Sequence, residues 1–262
     1  MSQWALQGYE KALGPDHTST LDTVNNLGFL YRSQSKLDEA EKMYQRALQG
    51  KEKALGPGHA STLDTVHNLG NLYMNQGKLD KAEKMYQRAL QGKEKALGPG
   101  HTSTLDTVHN LGALYATQGK LDEAEKMYQR ALQGKEKALG PDHLSKLDTV
   151  YNLGLLYANQ GKLDDAEKMY QRVLQGYEKA LGLENVARYR PALSTMRSLG
   201  NLFATQGRLD EAKEMYSRAC TGFRAVLGPS CNQCQYLQQR IAAILRSTQA
   251  LVIAEAHGRE QS

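Results

Sequence analysis

The chain has 262 residues, 40% apolar and 23% charged, with 24 glycines, three cysteines and a net charge of +5. Three cysteines exclude a disulfide scaffold. The balance of charged and apolar residues argues against disorder, and no apolar run approaches the ~18 residues that read as a bilayer span. The mild, dispersed positive charge gives no footprint for nucleic acid.

The first element is a half-repeat. MSQWALQGYEKALGPDH aligns with MYQRALQGKEKALGPGH at residues 43–59, so the sequence opens in mid-repeat and reads as a piece of a longer array. It lacks the basic start and apolar core of a secretory leader, which makes the cytoplasm the expected setting. From there the chain repeats itself. Met43, Met85, Met127 and Met169 recur at 42-residue intervals, as do Gly28, Gly70, Gly112 and Gly154. Residues 61–102 and 103–144 differ at six positions. The expected organisation is a partial repeat (second helix only) over 1–17 and repeats over 18–59, 60–101, 102–143, 144–189 and 190–229. A capping helix and tail follow over 230–262. Four extra residues fall near Leu183–Tyr189, where the Gly-Pro of the other copies is lost.

Each repeat reads as two helices. In the second copy the first runs over about 61–76, with Val66, Leu69, Leu72 and Tyr73 at helical spacing. Ser61-x-x-Asp64 has the form of a capping box, and Gly77 suits the left-handed residue that ends a helix. The second runs over about 79–97, with Ala82, Met85, Tyr86, Ala89, Leu90 and Leu97 as its apolar stripe, and Gly98-Pro99 breaks it. All six prolines fall in expected inter-repeat loops. Gly70 costs about 1 kcal/mol of helix propensity. Its recurrence therefore predicts close helix approach opposite Ala82, and Gly92 predicts a close contact with the following repeat. One hairpin cannot bury its own stripe, so neighbours must stack.

Leu69-Gly70-x-x-Tyr73, Ala82, Tyr86 and Ala89 reproduce the spacing of tetratricopeptide (TPR) repeats, which the sequence resembles over about residues 1–228. The Trp and Pro of the shorter form are replaced here by Val66 and Glu94. The long repeat, with TLDTVHNLGNLY and QGKLDKAEKMYQRAL, is similar to those of kinesin light chains. Near-identical tandem copies are most similar to fungal arrays attached to nucleotide-binding NOD-like (STAND) receptors. The resemblance implies an all-α, right-handed TPR superhelix (α-solenoid) of helix-turn-helix repeats. It also implies that each first helix lines the concave wall where ligands bind.

No catalytic set emerges. His17, His59, His101 and His143 recur one per repeat, too far apart to share a metal, and read as loop hydrogen-bonding residues before each first helix. Cys231-x-x-Cys234 is a single pair without further ligands. Gly-x-Gly-His follows no strand and is loop punctuation. Lysines and glutamates of the second helices read as a solvated face. The expectation is no enzyme, no cofactor and no metal.

Comparison among the copies points to binding. EKMYQRALQGKEKALGP is identical in the first three second helices, whereas one face of the first helix varies. Its four columns read Asn25, His67, His109, Tyr151, Arg197; Phe29, Asn71, Ala113, Leu155, Asn201; Arg32, Met74, Ala116, Ala158, Ala204; and Ser33, Asn75, Thr117, Asn159, Thr205. These offsets share one helical face. Constant amides stand beside them at Asn26, Asn68, Asn110 and Asn152, with Ser198 in the fifth copy. The resemblance implies that such amides grip an extended peptide; the other reading is an inter-helix hydrogen bond. The aspartates at 22, 64, 106 and 148 are assigned to capping. Only Arg32 and Arg197 are basic among the variable positions, so a neutral or mildly basic segment is expected rather than an acidic one.

The expected function is a non-catalytic protein–protein interaction module, probing ligands for a larger fungal receptor-like protein. The alternatives are a kinesin-light-chain-like cargo adaptor and a scaffold that self-associates end to end. The expected partner is a protein or extended peptide, with no nucleic acid and no membrane. In the last segment Tyr236, Leu237, Ile241, Ile244, Leu245, Leu251 and Val252 have the spacing of a capping helix, and HGREQS reads as frayed.

Overall fold

The computed structural model describes residues 2–140 and 143–260, with side chains described over 4–140 and 143–246. Among them every regular element is a helix. The chain divides into two compact units, residues 1–140 and 141–262.

In the first unit, α1 (Ser2–Leu13) is followed by three helical hairpins. These are α2 (Thr18–Ser33) with α3 (Leu37–Leu55), α4 (Ala60–Asn75) with α5 (Leu79–Ala96), and α6 (Thr102–Thr117) with α7 (Leu121–Leu139). Each hairpin begins on a histidine. The Nδ1 atoms of His17, His59 and His101 accept the backbone N–H of Ser19, Ser61 and Ser103 at 3.2 Å. The capping box expected at Ser61 is therefore not formed: His59 caps α4 and Asp64 is committed elsewhere. Between the helices, Gly77 and Gly119 hold φ of +71° and +76°. The first copy places Ser35 there at φ +60°, where an L side chain is strained.

Two glycines per hairpin set the helix separation. A Cβ on Gly70 would lie 2.6 Å from the Tyr86 ring, and Gly28 and Gly112 meet Tyr44 and Tyr128 in the same way. The second glycine corrects the expectation of contact with the next repeat. A Cβ on Gly92 would meet Leu63 of its own hairpin at 2.4 Å, as Gly50 meets Leu21 and Gly134 meets Leu105. Around these contacts Val66, Leu69, Leu72, Ala82, Tyr86 and Ala89 are buried.

Neighbouring hairpins are tied by charge as well as packing. Lys93 is buried, yet its Nζ reaches the exposed Asp64 carboxylate at 2.8 Å and donates to Ser103 Oγ of the next repeat at 2.8 Å. Lys51–Asp22 and Lys135–Asp106 repeat the pair at 2.7 and 2.8 Å. Successive second helices are joined by Arg46–Glu10 at 2.5 Å, and by Arg88–Glu52 and Arg130–Glu94. Such half-exposed pairs contribute about 0–1 kcal/mol each, so they fix register more than they add stability.

The second unit opens with a 3-10 turn, Leu144–Lys146, capped by His143, and continues through α8 (Leu147–Asn159), α9 (Leu163–Leu181) and the short α10 (Leu183–Val186). It ends with α11 (Arg190–Thr205), α12 (Leu209–Leu227) and α13 (Asn232–Glu260). Pro191, assigned to a loop from sequence, lies in the first turn of α11, where its missing N–H costs nothing. Tyr177 takes the place of the buried lysine and meets Tyr189 edge-on at 5.0 Å. Helix α13 packs on α12 through Cys234, Leu237 and Ile244, while Leu245 is exposed. Its helical backbone runs to Glu260, past the start of the tail expected to fray. The Leu251 and Val252 side chains and residues 261–262 lie outside the described set.

Candidate functional site

The four variable columns lie along the first helices, and their residues divide into three groups by what they touch. The first column is a seam between repeats. His67 Nδ1 stands 3.0 Å from Thr107 Oγ1. That hydroxyl donates its own proton to the Ser103 carbonyl, so His67 Nδ1 carries the hydrogen and Nε2 accepts from Asn110 Nδ2 at 3.2 Å. The ring also packs against Tyr86, 5.7 Å between centroids. Burial there, with Lys93 adding to it, holds the His67 pKa down at about 4; burial does the same for His109 against Tyr128. Both are neutral at pH 7. In the first copy Asn25 Oδ1 accepts from Asn68 Nδ2 at 3.2 Å. In the second unit Tyr151 reaches Ser198 Oγ at 3.0 Å, so the larger side chain in the column meets the smaller partner. Arg197 is partly exposed.

The constant amides are the other half of this seam. Asn68 and Asn110 spend their N–H groups on the preceding repeat, and Asn110 also donates to Asn71 Oδ1 at 2.8 Å. This is the inter-helix reading of those residues. Their carboxamide oxygens accept nothing from the described residues, and Asn26 is exposed. Asn152 is partly buried.

The second column governs a buried phenol. Asn71 and Asn201 accept the hydroxyls of Tyr86 and Tyr216, both at 2.7 Å, and Tyr236 of α13 also donates to Asn201 at 3.0 Å. Phe29 replaces the amide in the first copy, and there the Tyr44 hydroxyl is buried without a partner. Asn71, expected from the sequence to contact a ligand, thus also serves the Tyr86 hydroxyl, a role the sequence does not state outright. The signal was present in the fixed spacing from Asn71 to Tyr86, repeated from Asn201 to Tyr216.

What remains open to other molecules is narrower. Phe29 is 54% exposed and carries the Arg32 guanidinium over its ring at 5.3 Å. Ser33, Asn75, Thr117, Leu155 and Asn159 are exposed, and Met74, Ala113 and Ala116 are partly so. In the second unit the same columns enclose a shallow cavity of about 220 Å³ lined by Leu155, Ala158, Tyr170, Ser198, Asn201 and Thr205.

The opposite wall is less idle than its sequence implied. Lys51, Lys93 and Lys135 are buried, and Glu41 and Glu83 receive Gln76 and Gln118 at 3.0 and 2.9 Å. Packing accounts for those constant residues. Lys84, Gln91 and Lys95, and their equivalents in the first and third copies, are exposed and identical all the same.

The cysteines carry no reactive signature. Cys234 is buried, and burial first, then its neighbour Cys231, push its thiol up to about 11. Among the described residues no group of three His, Cys, Asp or Glu is placed to hold a metal ion, and no helix is long and apolar enough to cross a membrane.

Two family models described as Tetratricopeptide repeat match the chain, one over residues 3–53, 20–95, 61–137 and 105–179, the other over 151–225. No curated protein matches. Among solved structures, BtubC (BKLC) from P. vanneervenii is 21% identical, with a TM-score of 0.71 and coverage of 88% of this chain and 90% of that one. A Podospora anserina protein of nearly identical TPR-like repeats, named for the kinesin light chain, is 22% identical, with a TM-score of 0.65 and coverage of 80% and 97%. PilF from Pseudomonas aeruginosa is 16% identical, with a TM-score of 0.62 and coverage of 87% and 86%.

Proposed function

The chain belongs to the tetratricopeptide repeat family, and we propose that it is a non-catalytic module that binds an extended protein segment along the exposed columns of its first helices. One observation carries this. Of the six differences between copies two and three, three fall at Asn71/Ala113, Met74/Ala116 and Asn75/Thr117, on one helical face that is at least partly open to solvent. On the other wall the exposed Lys84, Gln91 and Lys95 do not change, and only Lys81, which is Glu123 in the third copy, does.

The surface favours a neutral segment with apolar side chains. Phe29, Met74 and Ala116 give shallow apolar contact, and the unused oxygens of Asn68 and Asn110 accept backbone N–H groups. Sensing of ligands for a larger receptor-like protein and cargo capture both follow from such a surface; the domains attached to the array distinguish them.

The test selects binders from a random displayed peptide library. Binding of the selected peptides is then measured after Ala116→Glu or Asn75→Glu, with Lys84→Glu as the control. Losses of tenfold or more confined to the first two variants, with helicity unchanged, support the reading. Equal binding by all variants, or loss with Lys84→Glu alone, rejects it.

A further inference from the structure

Unit two breaks the length of the repeat at one insertion, and a cavity lies there. The four extra residues after α9 build α10, and the turn that follows it presses onto α12. A Cβ on Gly222 would lie 2.3 Å from Leu193, as in the other hairpins, and here also 2.5 Å from the Ala187 carbonyl oxygen, so the inserted backbone uses the space this glycine leaves. Beneath it is a cavity of about 350 Å³, walled mainly by Leu183, Val186, Ala187 and Met196. That volume lies within the range of small-molecule sites, roughly 300–1,000 Å³. Leu183 is 71% exposed at its edge.

The charged residues at the cavity are the second observation. Arg218 and Glu178 occupy the positions that form the Arg–Glu rungs of the first unit, where the guanidinium hydrogen-bonds the carboxylate. Here the rung is loosened to an ion pair without a hydrogen bond. Arg218 stands 3.9 Å from Glu178 and 4.0 Å from Glu214, and it hydrogen-bonds neither. Both Arg218 and Glu178 line the cavity. An apolar chamber whose wall carries a guanidinium and a carboxylate that are ion-paired at 3.9 Å but not hydrogen-bonded to each other matches a compact molecule with an apolar body, an anionic group and a cationic group that can take up their free hydrogen-bonding positions. A carboxylate on Arg218 gains a charge-assisted, fork-shaped contact, and an ammonium on Glu178 completes the second pair.

We propose that this cavity binds a free α-amino acid with an apolar side chain, its carboxylate on Arg218, its ammonium on Glu178 and its side chain among Leu183, Val186 and Met196. The site is independent of the first-helix columns.

Isothermal titration of the full chain with L-leucine, L-methionine and L-phenylalanine tests this, with glycine, N-acetyl-L-leucine and L-leucinamide as controls. The expected result is saturable binding of at least one apolar amino acid and none of glycine. Removing either charge from leucine should cost tenfold or more. Arg218→Gln should weaken leucine at least tenfold while leaving the amide's weak binding unchanged, and Thr221→Trp at the cavity edge should abolish binding with the helical spectrum intact. No saturable binding by any of the three in the millimolar range overturns the proposal. So does N-acetyl-leucine binding as tightly as leucine, or binding that survives Thr221→Trp.

Discussion

The two walls of the first unit differ in what their sequences conceal. The second helices share EKMYQRALQGKEKALGP in all three copies and differ only in the first turn, where Lys81 replaces Glu39 and Glu123, and the structure accounts for much of that identity by buried lysines and Arg–Glu rungs. The first helices vary, yet part of their variation is also internal. His67 and Asn110 are partners across a seam, and Asn71 serves the hydroxyl beneath it. Constancy is thus no proof of an idle surface, nor variation of a binding one. Of the changed first-helix positions, Met74/Ala116 and Asn75/Thr117 carry the weight for binding, because Asn71 also has an internal task.

The largest effect should come from the contact both walls share. Gly70→Leu drives a side chain into the Tyr86 ring, where even a Cβ would come within 2.6 Å. Overpacking of this kind costs about 3 kcal/mol, whereas Lys84→Ala should stay within about 0.5 kcal/mol. Urea unfolding of both variants checks this; a Gly70→Leu midpoint equal to the parent's would refute the close approach.

Acid tests the seam through its two buried imidazoles. His67 and His109 titrate near 4 when folded, against an ordinary value of 6.5. Below pH 6.5 the unfolded chain takes up protons that the folded chain refuses. Their contribution is therefore complete above pH 6.5 and is lost as pH falls towards 4. A shift of that size sets an upper limit of about 3 kcal/mol per imidazole. Glu41 adds to the acid loss: burial raises its pKa, but hydrogen bonds from Gln76, Tyr73 and Lys78 outweigh burial and leave it below its ordinary value. His67→Asn with His109→Asn should flatten the stability profile between pH 6.5 and 4; an unchanged slope would assign the acid sensitivity elsewhere.

On the second wall, Lys93 separates packing from charge. Its stem is buried while Asp64 keeps contact with water, so Lys93→Met should be nearly neutral and Lys93→Ala should cost about 2 kcal/mol. Chemical unfolding of the pair measures the difference. An equal, large loss in both would make the ion pair itself responsible.

The repeat, its helices, Gly77 and the Gly70 contact were legible because each is a local or periodic property of the chain. The seam was not. His67 lies 40 and 43 residues from Thr107 and Asn110 and meets them only once hairpins stack, so these hydrogen bonds leave no local pattern. Asp64 misled for the converse reason: it stands three residues after a serine, as in a capping box, but His59 had already capped the helix and Lys93 was waiting across the hairpin. Gly92 showed that something came close without showing what. The cavity at Leu183 was marked only by the break in period.

The smallest effect tests the second column on its own terms. Tyr44 and Tyr86 stand in equivalent positions, both buried, but only Tyr86 finds an acceptor, because Phe29 stands where Asn71 does in the next copy. A neutral hydrogen bond contributes about 1 kcal/mol net, and Phe29, half in solvent, gives up little on replacement. Phe29→Asn should therefore stabilise the chain by about 1 kcal/mol, and Phe29→Asn with Tyr44→Phe should remove that gain. A gain that persists in the double variant would trace it to the loss of an exposed aromatic instead, leaving the second column free of any internal duty in the first copy.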